Sequence, residues 1–328
     1  MTITSRDRLQ AALAGGLADR PPVALWRHFP GQDQTAAALT AATGAWQREF
    51  PGDFVKFMPP GDYPTIDWGL RSVLHDSPSG TRKPIFHPVT TAPEWERLPG
   101  LEVRDGFNGE MLAAVTLARR ELPADVPLLQ TVFSPLTIAA KLSDMAVIDH
   151  LRGSPAAVHA GLRRITEITR AFLLASLAAG ADGFFFATQL ADRTLLDESE
   201  YREFGVPYDL QVLHDLPQET PLLLHFHGEA PMLRLADRYP RGALSWHDRH
   251  YGPPLAATAE ASGRPVAGGI DEAAIVTASA AETAAQAADA ARQHDGRGVI
   301  VAPGCVIPTT TPAANIRAAL HAVQGDGG

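Results

Sequence analysis

Eight short apolar runs recur along the chain, at 23–26, 53–58, 126–133, 180–189, 221–229, 243–248, 265–271 and 299–305. Each leads into polar residues, and most are separated from the next by a stretch of helical character. A continuous apolar run of this length reads as a strand buried on both faces, the condition of a parallel sheet covered by its crossover helices. Eight such units predict a single closed (β/α)8 TIM barrel, with the whole of 1–328 as one domain. The competing arrangement is an open doubly wound sheet. No G-x-G-x-x-G follows the first run, and Gly15-Gly16-Leu17 precedes it, so the sequence does not favour a dinucleotide site.

Helices are expected over about 5–14, 35–50, 106–121, 136–151, 155–179 and 198–216, with a last one opening at Pro312, since proline suits the first helical position. The stretch 61–105 breaks the alternation. It holds many prolines and glycines together with Tyr63, Trp68, Phe86 and Trp95, and it reads as an irregular insertion forming a lid or side wall.

Composition excludes several classes. The 328 residues carry a formal net charge of −9, and the basic residues are scattered, so there is no electrostatic footprint for nucleic acid. A single cysteine, Cys305, rules out an intrachain disulfide framework. No apolar run approaches the ~20 residues of a membrane span. The amino terminus turns polar at once, without the apolar core of a signal peptide. The expectation is a soluble, cytoplasmic protein, monomeric or homodimeric.

In a barrel of this kind the chemistry sits where the strands end. Collecting those ends brings together Arg27, His28, Lys56, Gln130, Ser134, Thr188, Gln189, His225, His227, His247, Asp248, Asp271 and Cys305. In the run ending Leu224-His225-Phe226-His227-Gly228, strand alternation puts both histidines on one face, about 6–7 Å apart. They read either as metal ligands or as hydrogen-bonded walls of a pocket. With His247 and Cys305 they make a three-nitrogen, one-sulfur set suited to Zn²⁺. Asp248 is an alternative fourth ligand or a partner holding the His247 ring. A lone cysteine is also commonly a small buried hydrophobe. Lys56, one of only three lysines, is a candidate for binding a substrate carboxylate or forming a Schiff base. Tyr63 and Trp68 are candidate lid aromatics.

Arg6-Asp7-Arg8, Pro22 to Arg27, Gly180-Ala181-Asp182-Gly183, Gly268-Gly269-Ile270-Asp271, and Pro303-Gly304-Cys305-Val306-Ile307-Pro308 with Thr311 to Ile316 form a further pattern. Together these segments resemble the uroporphyrinogen decarboxylase superfamily, which also contains corrinoid-dependent and cobalamin-independent methyltransferases. The resemblance implies a (β/α)8 barrel. True decarboxylases of the group carry two arginines four apart after the first strand, an aspartate after the second, a tyrosine after the third and Gly-His-Gly after the eighth. Here Arg27 matches the first arginine. Gly31, Met58-Pro59-Pro60, Lys141 and Cys305 stand at the other positions. The methyltransferase branch resembles the chain better, with zinc ligands as His-x-Cys, an acidic or other residue after the next strand, and a final Cys. His225 and Cys305 match that pattern, His247 or Asp248 falls near the middle ligand, and His227 departs from it.

The resemblance therefore implies a zinc-dependent methyltransferase acting on a small thiol or related substrate, with a corrinoid carried by a partner protein. Arg27, His28, Lys56, Tyr63, Gln130, Gln189 and Asp248 would bind substrate. The alternative is a metal-free decarboxylase or lyase in the same pocket, gripping a carboxylated substrate through Arg27 and Lys56. A non-enzymatic binding protein is the third reading.

Overall fold

The computed structural model describes residues 3–325; the outermost residues of the expected 1–328 domain, including the start of the polar amino terminus, lie outside the described residues. Among the described residues nine strands form: β1 Val55–Phe57, β2 Arg71–Val73, β3 Lys83–Phe86, β4 Leu128–Phe133, β5 Gly183–Thr188, β6 Leu222–Phe226, β7 Ala243–Ser245, β8 Val266–Ile270 and β9 Val299–Pro303. Seven of them make one curled parallel sheet in the order β1-β4-β5-β6-β7-β8-β9. Every residue in these seven strands is buried, as expected where helices cover the outer face and side chains fill the inner one.

The first expected strand, 23–26, is corrected to a single bridged residue, Val23 opposite Val301. Pro21 and Pro22 have no N–H to donate to a ladder. The Val23 N–H is taken by the Asp53 carboxylate (2.8 Å). The segment nevertheless stands between the two edges of the sheet. Ala24 N–H donates to Val301 O (3.1 Å), Val301 N–H to Pro22 O (2.9 Å), and Asp53 N–H to Val23 O (2.8 Å). Asp53 is itself held by Arg20 and Arg8, so ion pairs fasten this seam where backbone pairing is short.

Helices fall where caps and periodicity place them, with two breaks. Ser5–Leu13 opens on a reciprocal capping box between Thr4 and Asp7. The expected helix 136–151 is two helices, Pro135–Leu142 and Val147–Gly153, parted where Asp144 and Met145 take positive φ of 50° and 69°. The expected helix 198–216 is split at Gly205 into Glu198–Phe204 and Val206–Leu213, since Pro207 has no N–H to carry the first helix onward; a Cβ at 205 would stand 2.5 Å from the Tyr201 ring. The insertion 61–105 is more regular than expected. It holds the short helix Tyr63–Ile66, the antiparallel hairpin β2–β3 and a 3-10 turn Ala92–Arg97. Trp95 pins it to the core, its indole donating to His150 Nδ1 (3.1 Å), while the buried Trp68 indole donates to Pro99 O within the insertion (3.1 Å).

Candidate active site

Four donor side chains meet at the carboxyl ends of the sheet. His225 is the fourth residue of β6, its ring against Phe185 of the neighbouring strand (centroids 5.1 Å apart). The register sets it beside Ser245 of β7, whose hydroxyl lies 3.2 Å from His225 Nδ1. That leaves His225 Nε2 buried with no partner. His227 follows one turn of the pleat later, its N–H still donating to Thr188 O of β5 (3.0 Å). Gly228, at φ 119°, then turns the chain away; a Cβ there would fall 1.8 Å from Asp192 Oδ2. His247 stands two residues past β7 and Cys305 two past β9.

The ligand-capable atoms of His225, His227, His247 and Cys305 all lie within 4.8 Å of one another. His247 Nε2 is 3.0 Å from His227 Nδ1, and Cys305 Sγ is 3.7 Å from the same nitrogen. A tetrahedral centre with bonds of about 2.0–2.3 Å needs donors about 3.3–3.8 Å apart, so side-chain adjustments of an ångström or less bring the set to that spacing. Burial, followed by the neighbouring His227 and His247, holds the His225 pKa well below the usual histidine value, and burial lowers that of His227. Neutral imidazoles are the form that donates to a metal. Burial pushes the Cys305 thiol up, against the pull of His247 and Lys56.

His225, His227 and Cys305 of the cluster form one wall of a cavity of about 300 Å³. Facing it are Trp26, His28, Lys56, Lys141, Phe185 and Gln189. Lys56 Nζ sits over the Phe185 ring (4.2 Å from the centroid) and Lys141 Nζ over Phe133 (4.8 Å). Desolvation brings Lys56 down to about 7 and Lys141 down to about 8. His28 falls to about 3 through burial, with Lys56 and Lys141 adding to the effect. The insertion contributes Gly61, Ser79 and Thr81, and so is a side wall. A second cavity of about 430 Å³ shares Lys141, Gln189 and His227 with the first and opens past the hairpin residues Arg82 and Pro84.

Four expected substrate contacts are elsewhere. Arg27 alternates with Trp26 and His28 along extended chain, so its guanidinium points the other way, onto Trp46 (5.2 Å) and Thr309 O (2.7 Å). Tyr63 is buried in the core against Phe133 and Phe172, its hydroxyl donating to Thr131 O (2.9 Å). Gln130 is fully buried and donates to Thr131 O (3.0 Å). Asp248 alternates out of the cluster that His247 joins, and accepts from Gly269 N–H (3.0 Å); burial raises its carboxyl to about 6. His28, Lys56 and Gln189 do line the cavity.

Sequence reasoning set Lys141 at the family's tyrosine position without counting it among the substrate contacts; it stands in the last turn of the helix Pro135–Leu142 and reaches the cavity from there. Its rarity as one of three lysines was the available signal. Sequence reasoning missed Glu272, buried behind His247. Asp271 beside it was the residue placed in the ring, yet the Asp271 carboxylate accepts from Ala273 and Ala274 N–H.

A family profile described as Uroporphyrinogen decarboxylase (URO-D) matches residues 75–325. The chain belongs to the uroporphyrinogen decarboxylase family. Among curated members, a uroporphyrinogen decarboxylase from Sorangium cellulosum is 33% identical over 171 residues, covering 49% of this chain and 48% of that relative. The match thus spans about half of that relative's length. A methylcobamide:CoM methyltransferase, MtbA, from Methanosarcina acetivorans is 23% identical over 235 residues, covering 71% of this chain and 68% of that one. This family member shares its fold with a methyltransferase from Methanosarcina mazei, at a TM-score of 0.85 over 98% of both chains and 19% identity. Among the described residues no helix is long and apolar enough to cross a membrane.

Proposed function

We propose that this chain is a zinc-dependent methyltransferase that moves a methyl group to or from a small thiol or related substrate, with a corrinoid carried by a partner protein as the other methyl carrier. The observation that carries this reading is the four-donor cluster, with His225 Nε2 buried and unpartnered beside two further imidazoles and the only cysteine. His225, His227, His247 and Cys305 would hold the ion. Zinc bound there supplies the Lewis acidity that keeps a thiol as its nucleophilic thiolate near neutral pH. Lys56, Lys141 and Gln189 orient the remainder of the substrate, and Trp26, Met58 and Phe185 exclude water from the cavity. The relatives include a methyltransferase that acts on a methylcobamide, which supports the same reaction class and a corrinoid partner. We read the sheet as a closed (β/α)8 barrel with residues 22–24 as its eighth stave, and the chain as one domain, because that segment hydrogen-bonds at both edges and the buried apolar residues form one cluster.

A decarboxylase or lyase acting on a small carboxylated substrate is the second reading. It is favoured by two desolvated lysines on the cavity wall, Lys56 buried and Lys141 half-buried, and by the decarboxylases among the relatives. Metal analysis separates the two. The purified chain should carry close to one zinc. Cys305→Ala and His225→Ala should each lose most of it, while His227→Cys should retain it. Well under one equivalent in the native chain, even after zinc supplementation, would remove the premise and move the lyase reading ahead.

A further inference from the structure

We infer that Glu272 is a positioning residue: it fixes the proton of His247 on Nδ1 and thereby aims the Nε2 lone pair into the donor cluster. The inference rests on the zinc reading above and adds a residue to it. Glu272 lies two residues past β8, and its Oε1 is in contact with His247 Nδ1, both side chains being buried. A carboxylate is an acceptor only, so the imidazole must carry its proton on the nitrogen facing it. The opposite nitrogen, 3.0 Å from His227 Nδ1, is then left as an electron donor.

The pairing differs in kind from the one behind His225. The Ser245 hydroxyl that meets His225 Nδ1 can donate as readily as accept, so it orients the ring without choosing the tautomer. Glu272 chooses it. The carboxylate also bears on charge. Three neutral imidazoles bring none, so a dication held by them and one thiolate stays unbalanced in a buried site, and Glu272 supplies the missing negative charge.

The surrounding backbone is built to admit this carboxylate. A Cβ at residue 304 would stand 2.7 Å from Glu272 Oε2 and 3.0 Å from His247 Cα. Gly304 therefore lets the turn that delivers Cys305 close over the Glu272–His247 pair. Glu272 Oε2 is buried there without a hydrogen-bond partner, so the pair with His247 is the carboxylate's one side-chain hydrogen bond among the described residues.

The test is zinc affinity, by competition with a chelator, for the native chain, Glu272→Gln, Glu272→Ala and Ser245→Ala. A carboxylate behind a ligating histidine is worth about 10–100-fold in metal affinity. Glu272→Ala should lose about that much. Glu272→Gln, of nearly the same volume, should fall between it and the native chain, because its amide oxygen accepts the proton but brings no charge. Ser245→Ala should lose less than either. Nitrogen-15 NMR of the metal-free chain should show His247 as the Nδ1–H tautomer, and a mixture of tautomers in Glu272→Ala. If both Glu272 variants hold zinc as tightly as the native chain, the inference is overturned while the zinc site stands. If the native chain takes up no zinc, the zinc reading falls and the tautomer decides Glu272 alone: a tautomer unchanged in Glu272→Ala overturns it, and a lost one upholds it.

Discussion

Lys56→Met should make this protein more stable while damaging its site. The Lys56 side chain is buried, and desolvation holds its amine near 7 against the usual 10.5, with the neighbouring Cys305 pulling the other way. Each pH unit of such a displacement is about 1.4 kcal/mol, which gives a cost to the fold of about 4 kcal/mol at pH 7. The sign follows from proton counting. The unfolded chain binds the proton more tightly, so between about pH 7 and pH 10.5 it carries more protons than the folded chain, and folded stability rises with pH across that window. Methionine fills a similar volume beside Trp26, Met58 and Phe185 and has no charge to desolvate. It gives up the contact of the ammonium with the Phe185 and Trp26 rings, worth about 1–2 kcal/mol. The net expectation is a gain of about 2–3 kcal/mol at pH 7, shrinking towards zero near pH 10. Denaturant unfolding of both chains with a chelator present, at several pH values, measures it. A Lys56→Met chain less stable than the native one at pH 7, or a difference that does not change with pH, would refute the reasoning. Methyl transfer should fall in the same variant, because a cavity-facing cation has gone.

Two further substitutions probe how the site is held. Gly228→Ala forces a side chain onto φ 119° and into the Asp192 carboxylate that accepts from Thr194 and Glu229 N–H. A stability loss of at least about 1–3 kcal/mol is expected, together with weaker zinc binding because His227 is the preceding residue; thermal unfolding and metal titration check both. Tyr63→Phe should cost about 1 kcal/mol through the lost bond to Thr131 O and leave zinc content and the Michaelis constant unchanged. A raised Michaelis constant would return Tyr63 to the substrate pocket.

Much of this protein is legible in its sequence, for a local reason. Apolar runs of strand length report burial on both faces, caps such as Thr4 with Asp7 start helices, and strand ends name the neighbourhood of a site. His225, His227, His247 and Cys305 could be gathered from the sequence because each stands at or just past a strand end. Side-chain direction was the harder part. Alternation sends Arg27 away from His28, and Asp248 away from His247, but which member faces inward depends on how the sheet curls. Lys141 reaches the cavity from a helix end, and Glu272 reaches His247 across two strand ends distant in sequence. The missing ladder at Val23 is likewise tertiary: the Asp53 carboxylate, 30 residues on, competes for its N–H. Local patterning determines which segments become strands and helices and where their polar ends fall. Only the folded sheet, by bringing remote carboxylates and amines against particular backbone and ring nitrogens, decides which of those polar residues work together.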